Sequence, residues 1–359
     1  MRTLSSTLGR DEPLVSVVMA VRDGGPYLAQ AVESILGQTL ENLELIVVDD
    51  GSRDATPDVL AKFAREDERV RVFRREPSGV SAARNRAARE VRARFLAPMD
   101  ADDVALPPRL ELQVEFLDSH PDVAVVGGAG VFVDDGGGEL ARMEYAGDDA
   151  SVSELLMTGQ SPVIHPAACM RTEAFHAVSG YRPVFQVAHD YDLWLRMAEH
   201  GRITNIAQTV LRYRVHAGQV STRNLRRTAE ETCAAVASAR ARARGEADPL
   251  DEAKALDATA LARLGVEPEE VAAREVHYAL WLARMLAGGG RHDLARPLWS
   301  AALGRAGATG EVRSTRARVL RARADACPAR PLSLGLRLLA AALDPKGVVA
   351  RRRLARAAP

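Results

Sequence analysis

The chain has 359 residues, enough for one large domain or two modest ones. Hydrophobic residues at 47% and charged residues at 27% exclude a disordered chain and permit a real core. Lys+Arg and Asp+Glu are equal at 48 each, so no overall charge draws the chain to nucleic acid, and nucleic acid is not an expected partner.

Residues 1–12 read as an N-terminal tail without the apolar core of a signal peptide. Leu14 to Val21 is a continuously apolar, β-branched run, the pattern of a strand buried on both faces. Pro26 to Leu40 carries Leu28, Ala31, Val32, Ile35 and Leu36 at helical spacing, which predicts an amphipathic helix. Leu43 to Val48 is a second buried strand, ending at Asp49 and Asp50. Thr56-Pro57 reads as an N-cap followed by proline at the first helical position, opening a helix to about Arg65. Val70 to Arg74 predicts a third strand, Ser81 to Val91 a third helix, and Phe95 to Met99 a fourth strand ending at Asp100-Ala101-Asp102-Asp103. Alternation of this kind with short connections predicts a mostly parallel sheet with helices on both faces. Ligands bind at the carboxyl ends of such strands, so the two acidic clusters are expected on one edge.

After Pro107 a helix is expected to about His120, and Val123 to Val126 and Val131 to Val133 suggest further strands before a turn at Asp135 to Gly138. From Ser151 to His216 the sequence mixes helices and loops, with its clearest helix at Asp190 to His200. Beyond Arg227 no convincing strand remains. His277 to Leu286 and Leu294 to Leu303 predict paired helices across Gly288-Gly289-Gly290, so an all-α C-terminal module follows. No run approaches the roughly 18 apolar residues of a spanning helix. Three widely spaced cysteines, Cys169, Cys233 and Cys327, offer neither a disulfide framework nor a zinc site, as suits a reducing, cytoplasmic setting.

The Asp100 to Asp103 group carries the most chemistry. Paired carboxylates at a strand end can hold a divalent cation that neutralises a leaving diphosphate, although an acidic turn before the helix at Pro107 uses the same residues. Asp49-Asp50-Gly51-Ser52 can accept a base N–H or simply make a strand-to-helix turn. Arg84 lies near a helix start that favours anions. An acid at the start of the 190–200 helix complements the helix dipole or serves as a base at a pocket rim. His165 and His216 are loop histidines.

Seven segments in order, VSVVMAVRDGGPYLAQAVESILGQTLENLELIVVDDGSRDAT (15–56), GVSAARNRAA (79–88), FLAPMDADD (95–103), HPAACMRTEAF (165–175), GYRPVF (180–185), HDYDLWLRMAEHG (189–201) and YRVHAGQVS (213–221), resemble the family-2 glycosyltransferases. The resemblance implies a GT-A fold of the Rossmann-like α/β class over residues 13–227; the helical module over 228–359, basic at its end, has no counterpart in it. It implies an inverting transfer from a nucleotide-sugar, a UDP-sugar in the first instance, to a hydroxyl of a glycan, glycolipid or protein in surface-polysaccharide or glycoconjugate synthesis. Asp50 and Asp49 would bind the donor base, with Arg84 and Asp100 at the rest of the donor. Asp102 would hold Mn²⁺ or Mg²⁺, with His216 as a further ligand, and Asp190 would be the general base. The sequence departs from the family at His189, where Glu is usual, and at Arg22-Asp23, where an aromatic and then Asn are common.

Two other readings compete. One is a catalytically silent nucleotide-sugar-binding or scaffold protein working through its helical module. The other, nucleotidyl transfer, wants a better phosphate loop than Arg22-Asp23-Gly24-Gly25. From Val312 onward 12 basic residues face 2 acidic ones, and Arg351-Arg352-Arg353 near Leu334, Leu336, Leu338 and Leu339 suits a partner-binding helix or a peripheral contact with anionic lipid.

Overall fold

The computed structural model describes residues 12–143, 149–216, 218–219 and 224–306. The basic C-terminal run and Cys327 lie outside them. Among the described residues nine strands occur in chain order: β1 Val15–Val21, β2 Leu43–Asp49, β3 Val70–Arg74, β4 Phe95–Asp100, β5 Val104–Ala105, β6 Val123–Val133, β7 Glu139–Met143, β8 Cys169–Arg171 and β9 Arg202–Arg214. The helices are α1 Leu28–Leu36, α2 Thr56–Glu66, α3 Val80–Ala88, α4 Arg109–Ser119, α5 Asp149–Met157, α6 Thr172–Ala177, α7 His189–Met197, α8 Leu225–Ala243, α9 Ala258–Arg263, α10 Pro268–Gly288 and α11 His292–Ala306.

The strands form one sheet in the order β3-β2-β1-β4-β8-β6-β9-β5, with β7 added beside β6. Four of the seven pairings along this path are parallel, and the antiparallel ones surround β8 and β5. The continuously apolar runs predicted as doubly buried strands are so: β2 is buried at every position and β1 at all but one. Leu28, Ala31, Val32 and Ile35 of α1 join the strand residues in one hydrophobic core. This is a mixed α/β fold with a mostly parallel sheet, followed by a helical C-terminal region among the described residues.

Three local expectations change. Thr56 opens α2 but does not cap it: its Oγ1 accepts from the Gly24 amide at 2.8 Å, while Asp54 Oδ1 accepts from the Thr56 amide at 3.0 Å. The two short strands expected within 123–133 are one fully buried strand, β6. Its glycines mark close approach, since a Cβ on Gly127 would lie 2.2 Å from Asn205 Oδ1. The mixed segment to His216 contains the long strand β9, which pairs with both β6 and β5.

The chain divides into two compact units. The first holds the sequence through Val133, Arg142–Arg214 and Ala235–Leu256, and therefore the strand ends of interest. The second holds Asp134–Ala141 and the described residues of Val215–Ala234 and of the chain from Asp257 onward. Within it α10 and α11 pack on each other across a turn at Gly288-Gly289-Gly290, with Val276, Ala279, Ala283, Leu286, Ala295 and Trp299 buried. Asp257 caps α9, its Oδ1 accepting from the Ala260 amide at 2.8 Å. No described helix is long and apolar enough to cross a membrane.

Candidate active site

The sheet register brings the acidic clusters to one edge. Val21 at the end of β1 pairs with Asp49, and Ala20 pairs with Asp100. With β1 alone between them, the ends of β2 and β4 stand about 10 Å apart, two strand spacings.

At the β2 end, Asp49 is buried and turns back on its own loop, Oδ1 accepting from the Ser52 amide at 2.8 Å. Arg74 Nε stands 3.5 Å from its other oxygen. Asp50 reaches across to the loop before α3. Its carboxylate accepts from the Ser78 amide at 3.0 and 3.1 Å, the Ser78 hydroxyl at 2.8 Å and the Gly79 amide at 2.9 Å. Asp50 therefore ties the β2 end to the start of α3 with its acceptor capacity largely used. Gly51, at φ 80°, makes the tie possible, since a Cβ there would sit 2.6 Å from Pro77. The loop after β1 is stitched to the same turn: the Asp23 amide donates to Ser52 Oγ and the Arg53 amide to Asp23 Oδ1, both at 2.8 Å.

At the β4 end, Asp100, Asp102 and Asp103 can each present an oxygen within 4.8 Å of the others. Burial raises the Asp100 carboxyl, Arg84 opposes that, and Asp102 pushes it up further. Asp103 is pushed well above the usual carboxylate range, by burial first and then by Asp102 and Asp100. Its Oδ1 accepts from the Arg214 amide at 2.7 Å, and the Arg214 Nε–H donates to the Asp102 carbonyl at 2.9 Å, so β9 holds the acidic turn in place. Behind it the fully buried Arg109 donates to the Pro98 carbonyl at 3.0 Å and the Ala168 carbonyl at 2.9 Å, bracing β4. A tight set of hard oxygen donors whose mutual repulsion is only partly offset suits a divalent cation.

Arg84 joins this edge to α7. Buried on α3, it donates through Nη2 to Asp100 Oδ1 and through Nη1 to His189 Nε2. A guanidinium can only donate, so Nε2 is the acceptor and the ring proton of His189 sits on Nδ1. Burial, and then Arg84, hold the His189 ring well below its ordinary pKa, so it is neutral. His165 is neutral for the same two leading reasons. Its Nε2 pairs with the Tyr181 hydroxyl at 2.8 Å, and its Nδ1 lies 3.9 Å from Asp100 Oδ1.

Asp190 is the second residue of α7, beside His189. Burial pushes its carboxyl up to about 6; the Tyr191 amide and Arg84 hold it down, and Asp100 pushes it up. Asp190 is thus within electrostatic reach of both Arg84 and Asp100. Of the residues expected at a site, Asp49, Asp50, Arg84, Asp100, Asp102 and Asp190 all fall in the first unit. His216 belongs to the second unit, where its Nδ1 accepts from the Gly218 amide at 3.2 Å. The sequence reading gave no role to Tyr181 or Arg214, and quoted Asp103 only as part of the acidic group. Asp103 had a signal, adjacency to Asp102; Tyr181 and Arg214 had none in spacing alone.

The sequence model of the family described as "Glycosyl transferase family 2" matches residues 16–178. The putative glycosyltransferase EpsE of Bacillus subtilis is 33% identical over 193 residues, spanning 53% of this chain and 68% of that protein. The O-antigen biosynthesis glycosyltransferase WbnJ of Escherichia coli is 29% identical over 207 residues, 56% of this chain and 80% of its own. In fold, the chain is similar to residues 1–349 of Staphylococcus aureus TarS, solved in complex with UDP-GlcNAc, with a TM-score of 0.52 at 16% identity over 90% of this chain and 91% of that one. A carboxylate-lined sheet edge on a GT-A-type fold, with a sequence match running through β1 to α6, makes this chain a member of the family-2 glycosyltransferases.

Proposed function

We propose that this glycosyltransferase binds a nucleotide-sugar, with a UDP-sugar as the first candidate, and transfers the sugar with inversion to an acceptor hydroxyl. The observation that carries this reading is the Arg84 bridge, which links a donor-side carboxylate, Asp100, to the start of the helix bearing Asp190. Asp190 is the general base. With a carboxyl near pH 6 it is ionised at neutral pH yet basic enough to take a proton from an attacking hydroxyl. The hydroxyl oxygen attacks the anomeric carbon as the bond to the diphosphate breaks, and this single displacement inverts the centre.

Asp100 and Arg84 orient the donor. Asp50 and Asp49 shape the base end; because Asp50 already holds Ser78 and Gly79, it acts there chiefly through the loop it fixes. Asp102 would hold Mn²⁺ or Mg²⁺ with its neighbours Asp100 and Asp103. When bound, the cation supplies charge neutralisation for the departing diphosphate. Residues 13–227 carry the catalytic machinery, Ala235–Leu256 packs in the same unit, and the described helices from Asp257 onward belong to the helical module. The setting is surface-polysaccharide synthesis, which the WbnJ name supports, on the cytoplasmic side of the membrane.

Thermal-shift titration with UDP-, dTDP- and GDP-sugars, with and without Mn²⁺, tests the proposal. Saturation at about 100 times Kd stabilises by roughly 2.7 kcal/mol. The expected result is a cation-dependent shift with one nucleotide, lost in Asp102→Ala, and donor turnover lost in Asp190→Asn. No shift with any donor, or full turnover in both variants, sinks the reading.

A further inference from the structure

The first unit contains a closed set of six charges behind α7. Asp192, 1% exposed, accepts from Arg182 Nε at 3.1 Å and from Arg182 Nη2. It also accepts from Arg196 Nε at 3.0 Å and Nη2 at 2.7 Å. Arg182 continues through Nη1 to Asp248 Oδ2 at 2.9 Å. Asp248 also accepts from Arg242, from the Ser238 hydroxyl at 2.7 Å and from the Leu250 amide at 2.9 Å. Arg242 closes the set on Glu199, its Nε donating to Oε1 at 2.8 Å. Three arginines meet three carboxylates, so the cluster is neutral, and the loss of any one member leaves it charged.

Its position relates it to catalysis. Asp190 and Asp192 are two residues apart on α7, so their side chains leave the helix about 200° apart, on nearly opposite faces. One face turns toward Arg84 and Asp100; the other is gripped by the cluster. The approach to α7 is also pinned: Asn85 of α3 donates to the Tyr181 carbonyl at 2.6 Å and accepts from its amide at 2.9 Å. Ser81 of the same helix donates to the Phe185 carbonyl at 2.8 Å. Asp248 sits in Ala235–Leu256, sequence far beyond the family match yet packed in the first unit.

We propose that Asp248 is a positioning residue for Asp190, and that the segment Ala235–Leu256 acts through Arg182 and Asp192 as a clamp fixing the rotation and depth of α7. Without it, Arg182 and Arg242 are left with one carboxylate fewer between them, and α7 relaxes toward solvent. The charged and titratable groups within electrostatic reach of Asp190 are Arg84, Asp100 and Tyr181, none of which belongs to the cluster. A change at Asp248 therefore reaches Asp190 chiefly by moving the helix. The proposal rests on the reading of Asp190 as the base, and its test needs no donor, so it fails or stands apart from sugar transfer.

The experiment is an NMR titration of the Asp190 carboxyl carbon, assigned by its loss in Asp190→Asn, together with amide hydrogen exchange across α7 in the full chain. In Asp248→Asn the midpoint is expected to fall by about one unit toward the ordinary aspartate value, with exchange across α7 faster by roughly tenfold. Asp248→Glu restores most of both. Leu60→Ala, a core truncation in α2, lowers overall stability and leaves the Asp190 midpoint in place. Should Asp248→Asn not fold, Ser238→Ala, which loosens Asp248 without unpairing a charge, is expected to move the midpoint the same way by less. A folded variant whose midpoint and α7 exchange match the wild type overturns the proposal. So does a Leu60→Ala shift as large as that of Asp248→Asn.

Discussion

A base held at about 6 where an aspartate ordinarily titrates at 3.8 destabilises the protein that carries it. The sign follows from proton linkage. The folded state binds the Asp190 proton more tightly than the unfolded chain, so stability is full below the lower value and lost as pH rises through the upper one. Replacing Asp190 with Asn removes the ionisation, and so removes the loss. From those two values the gain is about 1.6 kcal/mol at about pH 5 and about 3 kcal/mol at about pH 7, flat above that. These are ceilings, because Asp190 is half-buried and solvent screens part of the effect. Melting curves of the wild type and Asp190→Asn, followed by circular dichroism between about pH 5 and pH 8, measure the gain and its slope; the variant should melt several degrees higher at neutral pH while sugar transfer is abolished. An equal or lower melting temperature in the variant, or a gain that does not grow with pH, refutes the account of a strained carboxylate on α7.

In the wild type, turnover should rise with pH through about 6, standing near half its plateau there and at roughly a tenth at about pH 5, measured as initial rates on folded enzyme. An ordinary carboxylate would show almost no fall over that range. His189→Glu adds a negative charge beside Asp190 and answers Arg84 more fully, so it should move this limb to higher pH in the same assay. Gly51→Ala meets both a left-handed backbone and Pro77. It should cost about 1–3 kcal/mol in denaturant unfolding and weaken donor binding through the Ser78 loop. Arg109→Met removes a buried cation that burial already holds at about 10, but also frees the Pro98 and Ala168 carbonyls. Unfolding should show a net loss of about 1–3 kcal/mol, the cost of unpaired buried groups.

The parallel half of the sheet was legible because β1, β2 and β4 are buried on both faces and read as largely apolar runs, the inward polar exceptions Ser16 and Glu44 bonding each other. The strand ends then fixed where Asp49, Asp50 and Asp100 would stand. β9 was not legible: Arg202–Arg214 carries Asn, Gln and Arg among its apolar residues, with Asn205 and Arg214 buried, and three register shifts in its pairing with β6 break the period. β6 was split by glycines that serve backbone contact rather than turning. At the site, the roles expected for Asp100, Asp102 and Asp190 came from motif order, and their electrostatic grouping is visible only in three dimensions. Arg84 and His189 are 105 residues apart and no spacing links them. Nor does any pattern reveal that Asp50 is already engaged by Ser78, since two of the donors are backbone amides.

The neutral six-charge set behind α7 also constrains how this sequence can change over generations. Replacing Asp192, Arg182 or Asp248 alone strands a charge away from water, which costs several kcal/mol in comparable buried pairs. Matched replacements of both partners are far milder. Lineages that altered one of these positions should therefore carry a compensating change at another, and descendants with all six apolar or uncharged should be easier to reach in pairs than singly.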